Sequence, residues 1–94
     1  MVRILAKIKL FSGPQKRQTG FKSGYRPLFN VLDKGEKTSG MITLLDREIF
    51  LPEEEAIVEI KFVNAQCTVN TKFYFYENIE PLGEGRVLKI LEEN

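Results

Sequence analysis

The chain has no histidine, no tryptophan and a single cysteine, Cys67. Without histidine, the Ser-His-Asp and Cys-His constellations of nucleophilic catalysis are excluded, as are zinc sets built on imidazole. One thiol excludes an internal disulfide. Cys67 reads as a small, semi-buried side chain in preference to a reactive thiol, and a cytoplasmic setting fits best. No apolar run approaches the roughly 20 residues needed to span a bilayer, so no membrane is expected as a partner. The nearest candidate for a leader is Met1 to Leu10, but Lys7 and Lys9 interrupt it and no small-residue cleavage site follows. A phosphate loop is missing too. Gly35-Glu36-Lys37-Thr38 carries Glu36 where the motif requires glycine, and a carboxylate there repels phosphate. No nucleophile is spaced to meet an activating base, and the carboxylates gather in turns where solvent leaves their acidity ordinary. The expectation is a protein that is not an enzyme, with no cofactor, metal or nucleotide.

What is present is a pattern of strands. Ninety-four residues allow one compact domain spanning 1–94. Val2, Ile4, Ala6, Ile8 and Leu10 share one face while Arg3, Lys7 and Lys9 share the other, the period of a half-buried strand. Residues 12–20 are turn formers and polar residues and read as an exposed loop. Extended structure resumes over Tyr25 to Leu32, with Pro27 removing a ladder donor and placing the strand's start at an edge or bulge. Asp33 to Gly40 reads as a turn and Met41 to Leu45 as a strand. Leu51-Pro52-Glu53-Glu54-Glu55 sets proline at a turn's second position, followed by three acids read as a solvated, solubilising turn. Val58, Ile60 and Phe62 alternate with Glu59 and Lys61, and Asn64 to Asn70 is a polar connection. Phe73 and Phe75 alternate with Tyr74 and Tyr76, and in a last strand Leu88 and Ile90 alternate with Val87, Lys89 and Leu91. About six strands without helical periodicity predict an all-β antiparallel sandwich or barrel.

Charge is unevenly distributed along the chain. Residues 1–37 carry nine basic and two acidic side chains, and the remainder carries five basic and eleven acidic, so +7 and −6 give the net +1. In a closed barrel both halves surround one core, so this polarity need not appear on the surface. A surface of both signs suits protein contacts at least as well as nucleic acid.

Two segments carry a resemblance. Gln18-Thr19-Gly20-Phe21-Lys22-Ser23-Gly24-Tyr25-Arg26-Pro27-Leu28-Phe29 is similar to the stretch of the C-terminal β-barrel (domain 3) of translation elongation factor Tu in which His-Thr-Pro-Phe leads into Gly-Tyr-Arg-Pro-Gln-Phe. Thr71 to Val87 resembles that barrel's last hairpin without a gap, matching at Phe73, Glu77, Gly83, Gly85 and Val87. The resemblance covers nearly the whole chain and implies a six-stranded antiparallel Greek-key β-barrel, present without the GTPase domain. In that family the barrel packs on the GTPase domain, contacts the nucleotide-exchange factor and grips aminoacyl-tRNA. The resemblance implies that the first loop partly keeps the family's RNA-contacting cations, at Lys16, Arg17 and Arg26, and Lys22 adds another. The hairpin loses both arginines, which become Tyr76 and Glu80, and its two glycines become Asn78 and Ile79.

These readings lead to a non-enzymatic binding module that engages a protein of the translation apparatus, or one that recognises the factor's barrel. Tyr74, Tyr76, Ile79 and Glu80 are the expected protein contacts, tyrosine being enriched at interface hot spots. Lys16, Arg17, Lys22 and Arg26 on the loop are the expected contacts to an acidic partner or, in the alternative reading, to tRNA or another RNA held weakly by its backbone. A structural hydrogen bond from Arg26 to neighbouring backbone and a partner contact are both open, as is an origin by excision from a longer factor.

Overall fold

The structure, a computed structural model, describes residues 1–13, 19–31 and 36–93. Six strands, β1 (Val2–Leu10), β2 (Leu28–Phe29), β3 (Thr38–Leu44), β4 (Glu55–Phe62), β5 (Lys72–Tyr76) and β6 (Pro81–Glu92), form a barrel. All pairings are antiparallel and the order β1-β4-β3-β2-β5-β6 closes on itself. There is no helix among the described residues, as the strand pattern led us to expect. Strands adjacent in the chain pair directly, except β1 with β2 and β4 with β5, which are not neighbours in the barrel.

Closure makes one core from the inward face of every strand. Val2, Ile4, Ala6, Ile8 and Leu10 are all buried, and Val58, Ile60 and Phe62 meet them from β4. Phe29, the one inward residue of β2, fills the centre. Its ring lies edge-on to Phe62 at 5.2 Å and to Phe73 at 5.8 Å, and tilted against Phe75 at 5.9 Å. Each such side chain contributes about 1.5–3 kcal/mol by leaving water. These rings need room, and glycine supplies it. Gly83 and Gly85 stand directly opposite Phe75 and Phe73 in the β5–β6 register, and a Cβ on either would enter the ring it faces. Gly40, expected in a turn, lies instead within β3, where a Cβ would press on the rings of Phe62 and Phe29.

The short β2 is the weak seam, and further hydrogen bonds extend it. Beyond its two residues, Asn30 N–H donates to the Tyr74 carbonyl at 3.1 Å, and Tyr74 N–H donates back to Asn30 Oδ1 at 2.6 Å. At the other end Tyr25 forms an isolated bridge with Ile42, and Ser23 Oγ accepts from Leu44 N–H at 2.8 Å. The extended segment anticipated over Tyr25 to Leu32 is therefore held beyond β2 by backbone bonds, Gly40 N–H to the Pro27 carbonyl, Ile42 N–H to that of Tyr25 and Asn30 N–H to that of Tyr74, with the Asn30 side chain adding one more (Leu32 lies outside the described residues).

Two further features differ from the sequence pattern. The alternation read for β6 is broken by register shifts opposite Arg3/Ile4 and Leu5/Ala6, so that Val87 is buried and Ile90 packs against the core while Leu88 lies outward. The Pro52 turn is not merely solvated. Glu53 holds φ +72°, its N–H donates to the Leu10 carbonyl at 2.7 Å, and its carboxylate accepts from the Ser12 hydroxyl and faces Lys9 at 3.7 Å. It clips the β3–β4 connection to the end of β1.

Around β1 the two halves of the chain, one basic and one acidic, are brought together. Basic β1 lies between β4 and β6, which belong to the acidic half. Arg3 bridges both, 2.7 Å from Glu59 and 2.8 Å from Glu92.

Candidate functional site

Strand direction gathers three connections at one end of the barrel. Leu10 faces Gly83, Lys9 faces Glu55 and Leu28 faces Tyr76. The end of β1, the start of β2, the β3–β4 connection and the 77–80 hairpin therefore share that end. Phe21 and Phe50 close it from within, stacked at 5.3 Å, with Tyr25 stacked on Phe21 at 4.5 Å.

The hairpin is the most exposed apolar point. Ile79 is 88% exposed, between the exposed Asn78 and Glu80, and these three line a shallow hollow with Leu82. A register shift between Phe75 and Tyr76 sets Tyr76 against Pro81, giving the hairpin its bend. Its base is tied down from the first connection, where the Tyr25 hydroxyl donates to the Glu77 carboxylate.

Below the hairpin, β5 behaves as its alternation requires. Phe73 and Phe75 are fully buried, and Tyr74 and Tyr76 stand on the outer face, half-exposed. Neither tyrosine is bare. The Lys37 ammonium lies 4.1 Å from the centre of the Tyr76 ring, and Lys72 lies 5.2 Å from that of Tyr74 while pairing with Glu84 at 3.0 Å. Asn30 Nδ2 reaches the Tyr76 hydroxyl at 3.5 Å, at the limit of a hydrogen bond. Leu28, 41% exposed and directly opposite Tyr76, adds an aliphatic neighbour. Tyr74, Tyr76, Ile79 and Glu80 thus lie on one strand and the turn that follows it, as the hairpin reading anticipated.

The cationic residues divide. Lys22 and Arg26 are exposed, and antiparallel pairing of Leu28 with Tyr76 carries Arg26 toward the hairpin. Arg26 has no side-chain hydrogen bond or ion pair among the described residues, so the structural alternative for it is not realised there. Lys16 and Arg17 lie outside the described residues.

Cys67 is half-buried against the core, and burial, aided by Glu93, pushes its thiol up from 9.0 to about 11. That is the direction of a packing residue, not a nucleophile. Among the described residues no group of three or more histidine, cysteine or carboxylate side chains is placed to hold a metal, and no helix is long and apolar enough to cross a membrane.

Sequence reasoning missed one group. Lys7, Lys72 and Arg86 are far apart in the chain, yet they become neighbours on the outer face because β1, β6 and β5 are adjacent. Only the register reveals it. No protein-family model matches the chain, and no curated protein matches it.

Proposed function

We propose that the chain is a non-enzymatic binding module of the cytoplasm, related to the C-terminal Greek-key barrel of elongation factor Tu. Its partner is a protein of the translation apparatus, or one that recognises that factor's barrel. The observation that carries the docking surface is Ile79, almost wholly exposed on a hairpin whose base is pinned by Tyr25 and Glu77. Closed antiparallel architecture and the matched segments support the family reading. Rebuilding of the hairpin supports a protein partner over tRNA. Where a phosphate grip needs cations and close backbone, the turn offers Ile79 and a carboxylate at Glu80.

In this reading Ile79 is the anchor, Tyr76 and Leu28 extend the apolar contact, and Glu80 and Arg26 at its edge set orientation. Burying Ile79 contributes about 1.5–3 kcal/mol, so Ile79→Asp should weaken binding by roughly 10–100-fold. Isothermal titration against the factor's nucleotide-exchange factor and against its GTPase domain tests the partner class. Binding of one, lost in Tyr76→Ala plus Glu80→Arg, is the expected result. Heat from neither, together with a lysate capture unchanged by those substitutions, removes the reading.

The exposed Lys22 and Arg26 favour a second, weaker activity toward RNA backbone. Its mark is affinity for duplex RNA that falls steeply with salt and declines in Lys16→Ala and Arg17→Ala. No gel shift with tRNA at low salt eliminates it.

A further inference from the structure

The registers Lys7↔Ile57, Lys7↔Arg86 and Lys72↔Arg86 place an outward row Ile57, Lys7, Arg86, Lys72 across β4, β1, β6 and β5. Three cations therefore stand side by side on adjacent strands. Like charges directly opposite each other destabilise a sheet. The other outward cations of β1 show the ordinary solution, Arg3 pairing with Glu59 and Glu92 and Lys9 with Glu53. Lys7 has no ion pair among the described residues. Arg86 has none either, and its Nη1 donates to the Asn70 carbonyl at 2.7 Å. That bond orients the guanidinium without neutralising it and leaves its other donors free to turn outward. Lys72 is drawn aside to Glu84 at 3.0 Å and remains at the rim.

These side chains line a groove of about 240 Å³ on the barrel's flank. Leu88, on the outer face with Arg86, gives it one apolar wall, and Glu55 and Glu84 stand on the side toward Lys9.

We propose that this groove binds the phosphoryl group of a small phosphate ester, gripped by Arg86 and Lys7 with Lys72 as a third, more distant charge. The arginine fork suits two phosphate oxygens and the lysine supplies a point charge. A dianion relieves the repulsion between two adjacent cations, whereas a single carboxylate relieves only half of it. The flanking carboxylates argue for a small ligand over an RNA backbone. Any second phosphate toward Lys9 meets Glu55 and Glu84, while the same carboxylates accept hydrogen bonds from hydroxyls on a ligand's body. The site lies on different residues from the hairpin anchor and stands or falls without it.

The test is an amide-shift titration by nuclear magnetic resonance at pH 7.5 and constant ionic strength, first with inorganic phosphate and then with ribose 5-phosphate. Saturable shifts at residues 7, 86 and 88 are expected, with ribose 5-phosphate binding several-fold tighter than phosphate. Arg86→Gln and Lys7→Gln should each weaken binding at least tenfold, Lys7→Arg should retain it, and Ile79→Asp should leave it unchanged. Both neutralising substitutions are at outward positions, and an unaltered amide spectrum elsewhere confirms that the barrel is intact. Shifts that never saturate, or that persist in Arg86→Gln, overturn the proposal. So does tighter binding of a duplex RNA or of anionic phospholipid vesicles through the same residues, since either identifies a macromolecular surface instead.

Discussion

The pairing of inward glycines with phenylalanine rings makes a strong stability prediction at Gly83. A Cβ there would meet the Phe75 ring on one side and the Lys9 carbonyl oxygen on the other. Phe75 is fully buried and itself packed on Phe29, and Lys9 is fixed in the β1–β6 ladder, so neither neighbour can yield alone. Overpacking of this kind costs about 1–3 kcal/mol, and two immobile neighbours place Gly83→Ala at the upper end. Alanine recovers about 0.5–1 kcal/mol by restricting the unfolded chain. The net loss is about 2 kcal/mol, a fall in Tm of about 8–16 °C for a domain of this size. Urea unfolding followed by circular dichroism measures it, with Phe75→Leu as the second arm of a double-mutant cycle. If the ring is the obstacle, Gly83→Ala in the Phe75→Leu background costs much less than in the native one. A Gly83→Ala protein as stable as the native chain would show that close approach is not why glycine stands there, whereas additive losses in the cycle would leave the Lys9 carbonyl, not the ring, as the obstacle.

Three other outcomes follow from local geometry. Asn30→Ala, which removes the acceptor for Tyr74 N–H, should cost about 1–2 kcal/mol and speed exchange of that amide, while Asn30→Asp keeps the acceptor; unchanged exchange in the alanine variant refutes the seam argument. Cys67, with its thiol raised from 9.0 to about 11, should react with iodoacetamide at pH 8 on the order of 100-fold more slowly than a thiol of ordinary acidity, and equal rates would contradict its burial. The Glu53 carboxylate is held below 4.5 by the Ser12 hydroxyl and then by Lys9, and that of Glu92 by Arg3. Both bind protons less readily folded than unfolded, so their contribution is complete above about pH 4.5 and is lost as pH falls through the folded values; Ser12→Ala with Arg3→Gln should flatten that acid limb of the stability profile.

Legibility followed locality. The alternations in β1, β4 and β5 were readable because a half-buried strand writes its period directly into neighbouring residues, and Tyr74 and Tyr76 were placed outward on that ground alone. The first failures came where one strand's pattern depends on another. Val87 and Ile90 both face the core, with Leu88 outward between them, only because β6 carries extra residues against β1, which no reading of β6 by itself contains. Gly40 reads as a turn residue because turns and close ring approach leave the same mark in sequence. Glu53 looked like one of three solvated acids, yet its left-handed backbone and its bonds to Leu10 and Ser12 make it a clip between connections. Of the candidate site, the hairpin was legible as a contiguous segment, whereas the cation row was not, since its members sit at positions 7, 72 and 86.

The two proposed surfaces meet on β5, and this decides which substitutions are informative. Tyr76 faces Leu28 at the hairpin end, while Lys72 faces Arg86 at the other. Between them Tyr74 lies under Lys72 and opposite Glu84, which itself pairs with Lys72. Changing Tyr74 or Glu84 therefore frees Lys72 to move toward the groove at the same time as it alters the docking face, and any loss of binding is ambiguous. Ile79 and Lys7 avoid this coupling. Ile79 projects from the turn beyond β5, and Lys7 lies two strands away on β1, separated from β5 by β6. If Ile79→Asp abolishes protein binding and leaves phosphate binding intact, while Lys7→Gln does the reverse, the barrel carries two independent sites. If each substitution weakens both ligands, the outer face of β5 is one continuous surface and a single partner spans it.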